Sequence, residues 1–193
     1  MMHVWGRIFG MYERKPIDIL RHEAGHMVVA KVLGFKTGEL EYNERHAGAH
    51  ITIEPMLPDL AAVSAYVRRR ATVLYAGVLA EALKDSKIVN EKALEFIRSE
   101  ENVADYKRVS ELIHVAAGIE RSEGNHQGVL NAIGNEVWNR AATLVEKYAE
   151  QIVMLSKEWR QALGGLAKIT ISAEEISKIQ CFKEIEAGCE IEQ

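Results

Sequence analysis

Five consecutive residues, His22-Glu23-Ala24-Gly25-His26, form the H-E-x-x-H pattern, which combines two metal-binding imidazoles with a carboxylate. A helix advances about 1.5 Å and about 100° per residue, so His22 and His26 share one face and lie about 6 Å apart along the axis. Two ring nitrogens can therefore bind one ion, which for this pattern is typically zinc. Glu23 points to one side, where it can act as a base on a water molecule. The pattern predicts a hydrolytic zinc site.

A third metal ligand must come from elsewhere in the chain, because a catalytic zinc has three protein ligands and one open position. Asp105, near the start of a predicted helix, and Glu81, near the end of another, are the main acidic candidates. Asp18 lies four residues before His22 on the same helix and is poorly placed to complete a tetrahedron. The residues alone leave the choice between Asp105 and Glu81 open.

The motif lies in the middle of a predicted helix. Apolar residues recur at helical spacing from Pro16 to Leu33, and Gly34 ends the pattern. The next segment, Gly38 to Pro55, has apolar residues on both sides of a polar loop at 43–48. This arrangement predicts a β-hairpin close to the motif.

Downstream of the hairpin, the apolar pattern is again helical. Four helices are expected, over residues 58–83, 90–98, 102–120 and 129–163. An extended segment at 168–171 follows, and a capping box from Ser172 to Glu175 begins a last short helix. The predicted fold class is therefore mostly α, of the α+β type, with a small β-hairpin or sheet near the motif helix.

Chain length and composition fit one ordered domain. The chain has 193 residues, of which 48% are apolar and 27% are charged, and it shows no internal repeat. We expect a single domain over residues 1–182 and an acidic, frayed tail over residues 183–193. The first 15 residues indicate no function.

Charge, apolar runs and cysteines exclude several classes of partner. The net charge is −4, and the basic run Arg68 to Arg70 is interpreted as a solvated helix face, so no nucleic-acid partner is expected. The chain has no 18-residue apolar run and no leader pattern, which predicts no membrane segment of its own. Cys181 and Cys189 are interpreted as reduced thiols, and a cytoplasmic location is expected.

The residues around the motif resemble a known protease signature. The segment 21–30, RHEAGHMVVA, is similar to the His-Glu-Ala-Gly-His-Ala signature of the peptidase domain in the FtsH family of ATP-dependent zinc metalloproteases. Later segments resemble the family's Val-Thr-Ile-x-Pro strand, its Ala-Gly-x-x-Ala-Glu helix, its Asn-Asp helix and its closing segment. They lie, in the family's order, at residues 50–55, 75–81, 104–112 and 163–179. The likeness covers about residues 16–182.

The resemblance implies a role for each candidate residue. His22 and His26 become zinc ligands, Asp105 becomes the third ligand, and Glu23 becomes the catalytic base. Glu81 is then expected to support the ligands without binding the metal itself. The resemblance also implies a mostly helical fold with zinc as the cofactor.

The predicted function is that of a zinc-dependent endopeptidase. No G-x-x-x-x-G-K-[ST] loop occurs, so we expect a stand-alone peptidase domain that acts without its own ATPase. Its substrates would be short peptides, unfolded segments or proteins delivered by a separate partner. An extended substrate could pair with the exposed edge of the hairpin. Because the family's peptidase domains form rings, the resemblance also implies a homo-oligomer.

Two alternatives come from other functional classes. A non-catalytic module could keep the peptidase fold and the metal while binding or regulating another protein. A purely structural helix bundle could carry the motif by accident, although the residue frequencies predict only about 0.03 chance matches in the chain. Metal content and a proteolysis assay separate these classes from an active peptidase.

Overall fold

A computed structural model describes residues 14–43, 46–53, 56–97, 102–120 and 125–191. The first 13 residues, and residues 54–55 of one family-like segment, lie outside these ranges. The helices are α1 (Pro16–Val32), α2 (Leu60–Glu81), α3 (Asn90–Phe96), α4 (Val103–Ile119), α5 (His126–Lys147), α6 (Ala149–Leu163), α7 (Ala173–Lys178) and α8 (Gln180–Lys183). The strands are β1 (Lys36–Asn43), β2 (His46–Thr52), β3 (Leu83–Lys84), β4 (Lys87–Ile88) and β5 (Lys168–Ile171).

The predicted fold class is confirmed: the protein is mostly helical and has a small three-stranded antiparallel sheet. None of the helices in the described ranges combines the length and apolar character that crossing a bilayer requires.

Helix α1 is the centre of the core. It begins at Pro16, whose fixed φ suits a first helical position. It is followed by Gly34, whose φ of +79° is readily adopted only without a side chain. Its core residues are fully buried on all sides of the helix: Leu20, Ala24, Met27, Val28, Val29, Ala30 and Val32. A helix whose apolar residues are buried on all sides is enclosed by other elements, and α1 packs against α2, α6 and the sheet.

Gly25 brings α1 and α2 into close contact. A Cβ atom at Gly25 would lie 2.5 Å from the carbonyl oxygen of Ala76 and 2.5 Å from the Cβ of Ala80, both on α2. Only glycine allows the two backbones to approach this closely. One of the two variable positions of H-E-x-x-H is therefore determined by helix packing.

The predicted hairpin is present, with a shorter loop than expected. The sheet order is β2-β1-β5, and β1 pairs antiparallel with both neighbours. The loop predicted at 43–48 is too long, because Asn43 pairs with His46 and Glu41 pairs with Gly48. The extended segment at 168–171 is confirmed as β5. Strand β2 has no strand partner on its outer edge among the described residues.

A second, two-stranded hairpin replaces the end of the helix predicted over residues 58–83. Helix α2 stops at Glu81, and β3 and β4 pair across a two-residue turn. Asp85 and Ser86 have positive φ values of 49° and 62°, which is the conformation of a type I′ turn. Neither residue is glycine, so the usual sequence signal for this turn is missing.

The single helix predicted over residues 129–163 is wrong, because the chain forms α5 and α6 with a break at Tyr148. Tyr148 has φ −106° and ψ 21°, outside the helical region. Helix α5 packs mainly on α2, whereas α6 packs on α1. The bend turns the apolar face of each half toward a different helix, and a continuous apolar pattern does not reveal such a change of direction.

The end of the chain packs against α1, in contrast to the frayed tail expected over residues 183–193. The Gly188 N–H donates to the Lys31 carbonyl and the Glu190 N–H donates to the Val32 carbonyl, both at 3.0 Å. The last carbonyls of a helix have no donors within the helix, and residues of the tail supply them. Residues 192–193 lie outside the described ranges.

Candidate metal centre

Three side-chain atoms from two helices converge on one another. His22 Nε2 and His26 Nε2 are 3.0 Å apart, and Asp105 Oδ2 lies 3.2 Å and 3.1 Å from them, respectively. The histidines lie on α1, and Asp105 lies in the first turn of α4. Both histidines are buried, whereas the Asp105 side chain is 23% exposed. The structure therefore brings together the three residues that the sequence identifies as candidate ligands.

The orientation of His26, and the tautomer of its neutral ring, follow from one hydrogen bond. His26 Nδ1 lies 2.7 Å from the carbonyl oxygen of Val73 on α2. A carbonyl only accepts, so Nδ1 donates its proton and Nε2 presents a lone pair. A histidine ligand of zinc has this arrangement, in which one ring nitrogen binds the metal and the other donates to an acceptor.

His22 is oriented by a buried carboxylate. Its Nδ1 lies 3.3 Å from Oε2 of Glu81, a residue that is 1% exposed. Arg14 supports Glu81 from the other side, with Nε 2.9 Å from Oε1 and a terminal nitrogen 2.5 Å from Oε2. Glu81 therefore faces Nδ1 of His22, and Asp105 faces Nε2. Of the two acidic candidates, Asp105 occupies the third corner of the cluster.

Charge within the cluster shifts three pKa values. Burial opposes the charge on His22, but its contacts with the carboxylates of Asp105 and Glu81 outweigh this effect and raise its pKa to about 9. Burial also opposes the charge on Asp105, yet His26 and His22 hold its pKa well below the usual range. The pKa of Glu81 is lowered against its burial, mainly by His22 and Arg14. In the metal-free state the neighbouring carboxylates therefore stabilise a proton on His22.

The three atoms also fit a zinc ion. Tetrahedral zinc with bonds of about 2.0–2.2 Å holds its ligand atoms about 3.3–3.6 Å from one another. The observed separations of 3.0–3.2 Å differ from this range by a few tenths of an ångström. Two neutral imidazoles and one carboxylate form a donor set suited to zinc, and the set leaves a coordination position free.

Gly77 on α2 makes room for both imidazoles. A Cβ atom at this position would lie 2.5 Å from His26 Nε2 and 2.6 Å from His22 Nε2. Real Cβ atoms do not approach other atoms this closely, so any side chain at Gly77 would displace the rings. The cluster therefore depends on the backbone of α2 as well as on the side chains of α1 and α4.

Glu23 lies beside the cluster and contacts the sheet. It is 8% exposed, and its Oε2 accepts a hydrogen bond of 2.8 Å from the backbone N–H of Ala49 on β2. Its carboxylate is not one of the three converging groups. The candidate base thus lies between the motif helix and the outer edge of the sheet.

Sequence reasoning missed three contributors to the site. Nothing in the sequence indicates that the Val73 carbonyl orients His26 or that Arg14 pairs with Glu81, because both contacts join residues far apart in the chain. A glycine in the interior of an Ala-rich helix is a usable signal, and Gly77 is such a residue. Asp18, the weakest candidate, is 8% exposed and is not part of the cluster.

Known proteins give no further guide to the site. Comparison with models of protein families and with curated proteins found no match.

Proposed function

We propose that this protein is a zinc-dependent endopeptidase that hydrolyses peptide bonds in short or unfolded polypeptides. The observation that carries the proposal is the convergence of His22, His26 and Asp105, with the buried Glu23 next to His22 in the same helix. Lone pairs of three buried or half-buried groups repel one another unless a proton or a cation lies between them. The resemblance of the motif segment to the peptidase domain of the FtsH family supports the same reaction.

Each residue has a separate role in this proposal. Zinc, when bound to such ligands, supplies a water of lowered pKa and a Lewis acid for the scissile carbonyl. Glu23 takes the proton of the attacking water and delivers it to the leaving amine. Val73 and Glu81 keep the ligand nitrogens of His26 and His22 directed at the cluster.

The outer edge of β2 is the proposed binding surface for the substrate. The N–H of Ala49 points away from β1 and toward Glu23. Backbone groups of alternate residues in a strand face the same side, so the N–H and C=O of Ala47 also face this edge. An extended peptide could pair there and present its backbone to Glu23. Most backbone groups of a folded protein are already paired within its own helices and sheets, which is why short or unfolded polypeptides are the proposed substrates.

Assembly and location belong to the same proposal. The resemblance to a ring-forming family favours a homo-oligomer, and a separate partner could unfold and deliver larger substrates. Cys181 and Cys189 are both free cysteines, which favours a reducing, cytoplasmic location.

Zinc content and casein degradation, measured on the same samples, test the proposal. Glu23→Gln should retain zinc and lose proteolysis of unfolded casein, whereas His22→Ala should lose both. Glu150→Gln, an exposed position on α6, serves as the matched control and should retain both. The wild-type protein should lose activity with a chelator and regain it with zinc. Full activity in Glu23→Gln would contradict the mechanism.

A non-catalytic metal-binding module is the second candidate. One oxygen of Glu23 is already engaged by the Ala49 N–H, so the candidate base has a structural contact of its own. A protein that binds zinc stoichiometrically, yet cleaves neither casein nor any member of a random peptide library, would favour this candidate.

A further inference from the structure

A cavity of about 190 Å³ lies beside the C-terminal end of α1, apart from the metal centre. Its walls come from the end of α1, the outer ends of β1 and β2, and the first half of α2. Leu33 in its wall follows His26 by seven residues, which corresponds to about 10 Å along a helix. At about 30 Å³ per water molecule, the cavity has room for about six waters, or for one ring with a small polar group.

Two cationic side chains in the cavity wall lack a partner within the described part of the chain. Arg69 and Lys36 line the cavity, and neither side chain forms an ion pair or hydrogen bond with another described residue. The Nε atom of Arg69 is buried without a partner. The preceding residue, Arg68, is by contrast paired with two glutamates.

Most of the other side chains that line the cavity are apolar, whereas more of the cavity's accessible surface is polar than apolar. The rings of Phe35 and Tyr66 pack at a centroid distance of 5.9 Å, and both line the cavity. Leu57 is 37% exposed and Met56 is 92% exposed at the same cavity. A ligand body placed against these side chains would remove apolar surface from water. Thr52 adds a hydroxyl-bearing residue to the wall.

We propose that this cavity is a second binding site, which takes a carboxylate carried on an apolar or aromatic body. Guanidinium groups bind carboxylates through two parallel N–H···O bonds, and Lys36 adds a second positive charge. The apolar walls and small volume suit one ring or a short aliphatic chain. The carboxylate belongs either to a free organic acid or to the C-terminal residue of a polypeptide. The site requires neither zinc nor peptidase activity, so it goes beyond the proposed function.

Titration of the full chain with 3-phenylpropanoate, measured by ligand-observed NMR, tests the proposal. The neutral analogue 3-phenylpropanamide should bind at least about tenfold more weakly, because it lacks the charge. Arg69→Gln should weaken acid binding by about tenfold or more, and Lys36→Gln by a smaller factor. Arg160→Gln makes the same chemical change at an exposed position on α6 and should leave binding unchanged.

A second ligand and a further variant distinguish the two sources of the carboxylate and test whether the ligand binds at the metal centre instead. Tighter binding of N-acetyl-Ala-Phe than of 3-phenylpropanoate would assign the site to polypeptide C-termini, and the reverse order to free acids. Binding should persist in His22→Ala, whose substitution lies at the metal centre. A loss of binding in that variant would place the ligand at the metal centre and overturn the proposal.

Three other outcomes would also overturn it. Equal binding of the acid and the amide would mean that the cavity recognises only apolar surface. Competition by inorganic phosphate at equal concentration would mean a non-selective anion site. Unchanged binding in both Arg69→Gln and Lys36→Gln would mean that the cations play no part. Lys36 is exposed, so its variant remains informative even if Arg69→Gln lowers stability.

Discussion

Oε2 of Glu81 lies 3.3 Å from Nδ1 of His22, in a contact that is close enough for an ion pair but not aligned as a hydrogen bond. Arg14 binds both oxygens of the same carboxylate. A chain of alternating charges thus runs from Arg14 through Glu81 to His22 and ends at Asp105. A small rotation of the His22 ring would align its Nδ1–H with Glu81 and leave Nε2 free for a metal.

Glu81→Gln should therefore weaken zinc binding by about 10- to 100-fold without changing the ligand set. The amide keeps the size of the side chain but removes the charge that orients His22. Competition with a zinc-binding dye measures the change, and Glu158→Gln at an exposed position of α6 is the control. Equal affinities in Glu81→Gln and the control would show that Glu81 does not support the site. Thermal unfolding of both variants would reveal any general loss of stability.

Asp105→Ala should remove bound zinc, whereas Glu111→Ala on the same helix should retain it. Asp105 Oδ2 contacts both Nε2 atoms, and Glu111 is exposed away from the cluster. Two histidines alone leave zinc with two of its three protein ligands, so a loss of at least about 100-fold in affinity is expected. Metal analysis after gel filtration measures the stoichiometry. Stoichiometric zinc in Asp105→Ala would exclude Asp105 as a ligand.

Gly77→Ala should disrupt the metal centre through a single methyl group. The added Cβ would overlap both imidazole rings, so zinc affinity should fall sharply and stability should fall by about 1–3 kcal/mol. Gly118→Ala is the matched control, because a Cβ there meets nothing within 4 Å. That change lies within α4 and should stabilise the protein by about 0.5–1 kcal/mol. Similar zinc affinity in the two variants would contradict the described position of α2.

The stability of the metal-free protein should fall as pH rises. The pKa of His22 is raised to about 9 in the folded state, compared with about 6.5 in an unfolded chain. The bound proton stabilises the fold fully below about pH 6.5, and this contribution is lost as pH rises through about 9. Urea unfolding of chelator-treated protein across this interval measures the loss.

Zinc and His22→Gln provide the controls for this pH dependence. If zinc binds as proposed, it replaces the proton on His22, so the zinc-loaded protein should not lose stability over the same interval, and zinc affinity should increase with pH. His22→Gln removes the titrating group and should remove the dependence. The same loss of stability in His22→Gln would assign it to another group.

Local patterns in the sequence predicted the parts of the site that lie on one element. The H-E-x-x-H helix from Pro16 was predicted to within a residue of its end, because both its apolar spacing and its end signals are local. The hairpin was predicted from apolar residues on both sides of a polar loop, although the predicted loop was too long. Asp105 could be preferred over Glu81 as the third ligand only through the family resemblance, since the residues alone did not distinguish the two carboxylates.

The remaining features depend on tertiary contacts that no local pattern encodes. The break at Tyr148 follows from the need of α5 and α6 to pack on different helices. The tail is ordered by carbonyl groups at the end of α1, more than 150 residues earlier in the chain. Val73 acts through its backbone carbonyl, which every residue possesses, so its identity carries no signal.

The burial of α1 on all sides has a consequence for the kinetics of metal exchange. Neither His22 nor His26 can leave the cluster by local fraying, because the contacts of α1 with α2, α6 and the sheet would have to open together. Asp105 is held differently: it lies in the first turn of α4, and its side chain is 23% exposed. Zinc should therefore enter and leave on the Asp105 side, at a rate determined by the opening of α4 and not by global unfolding.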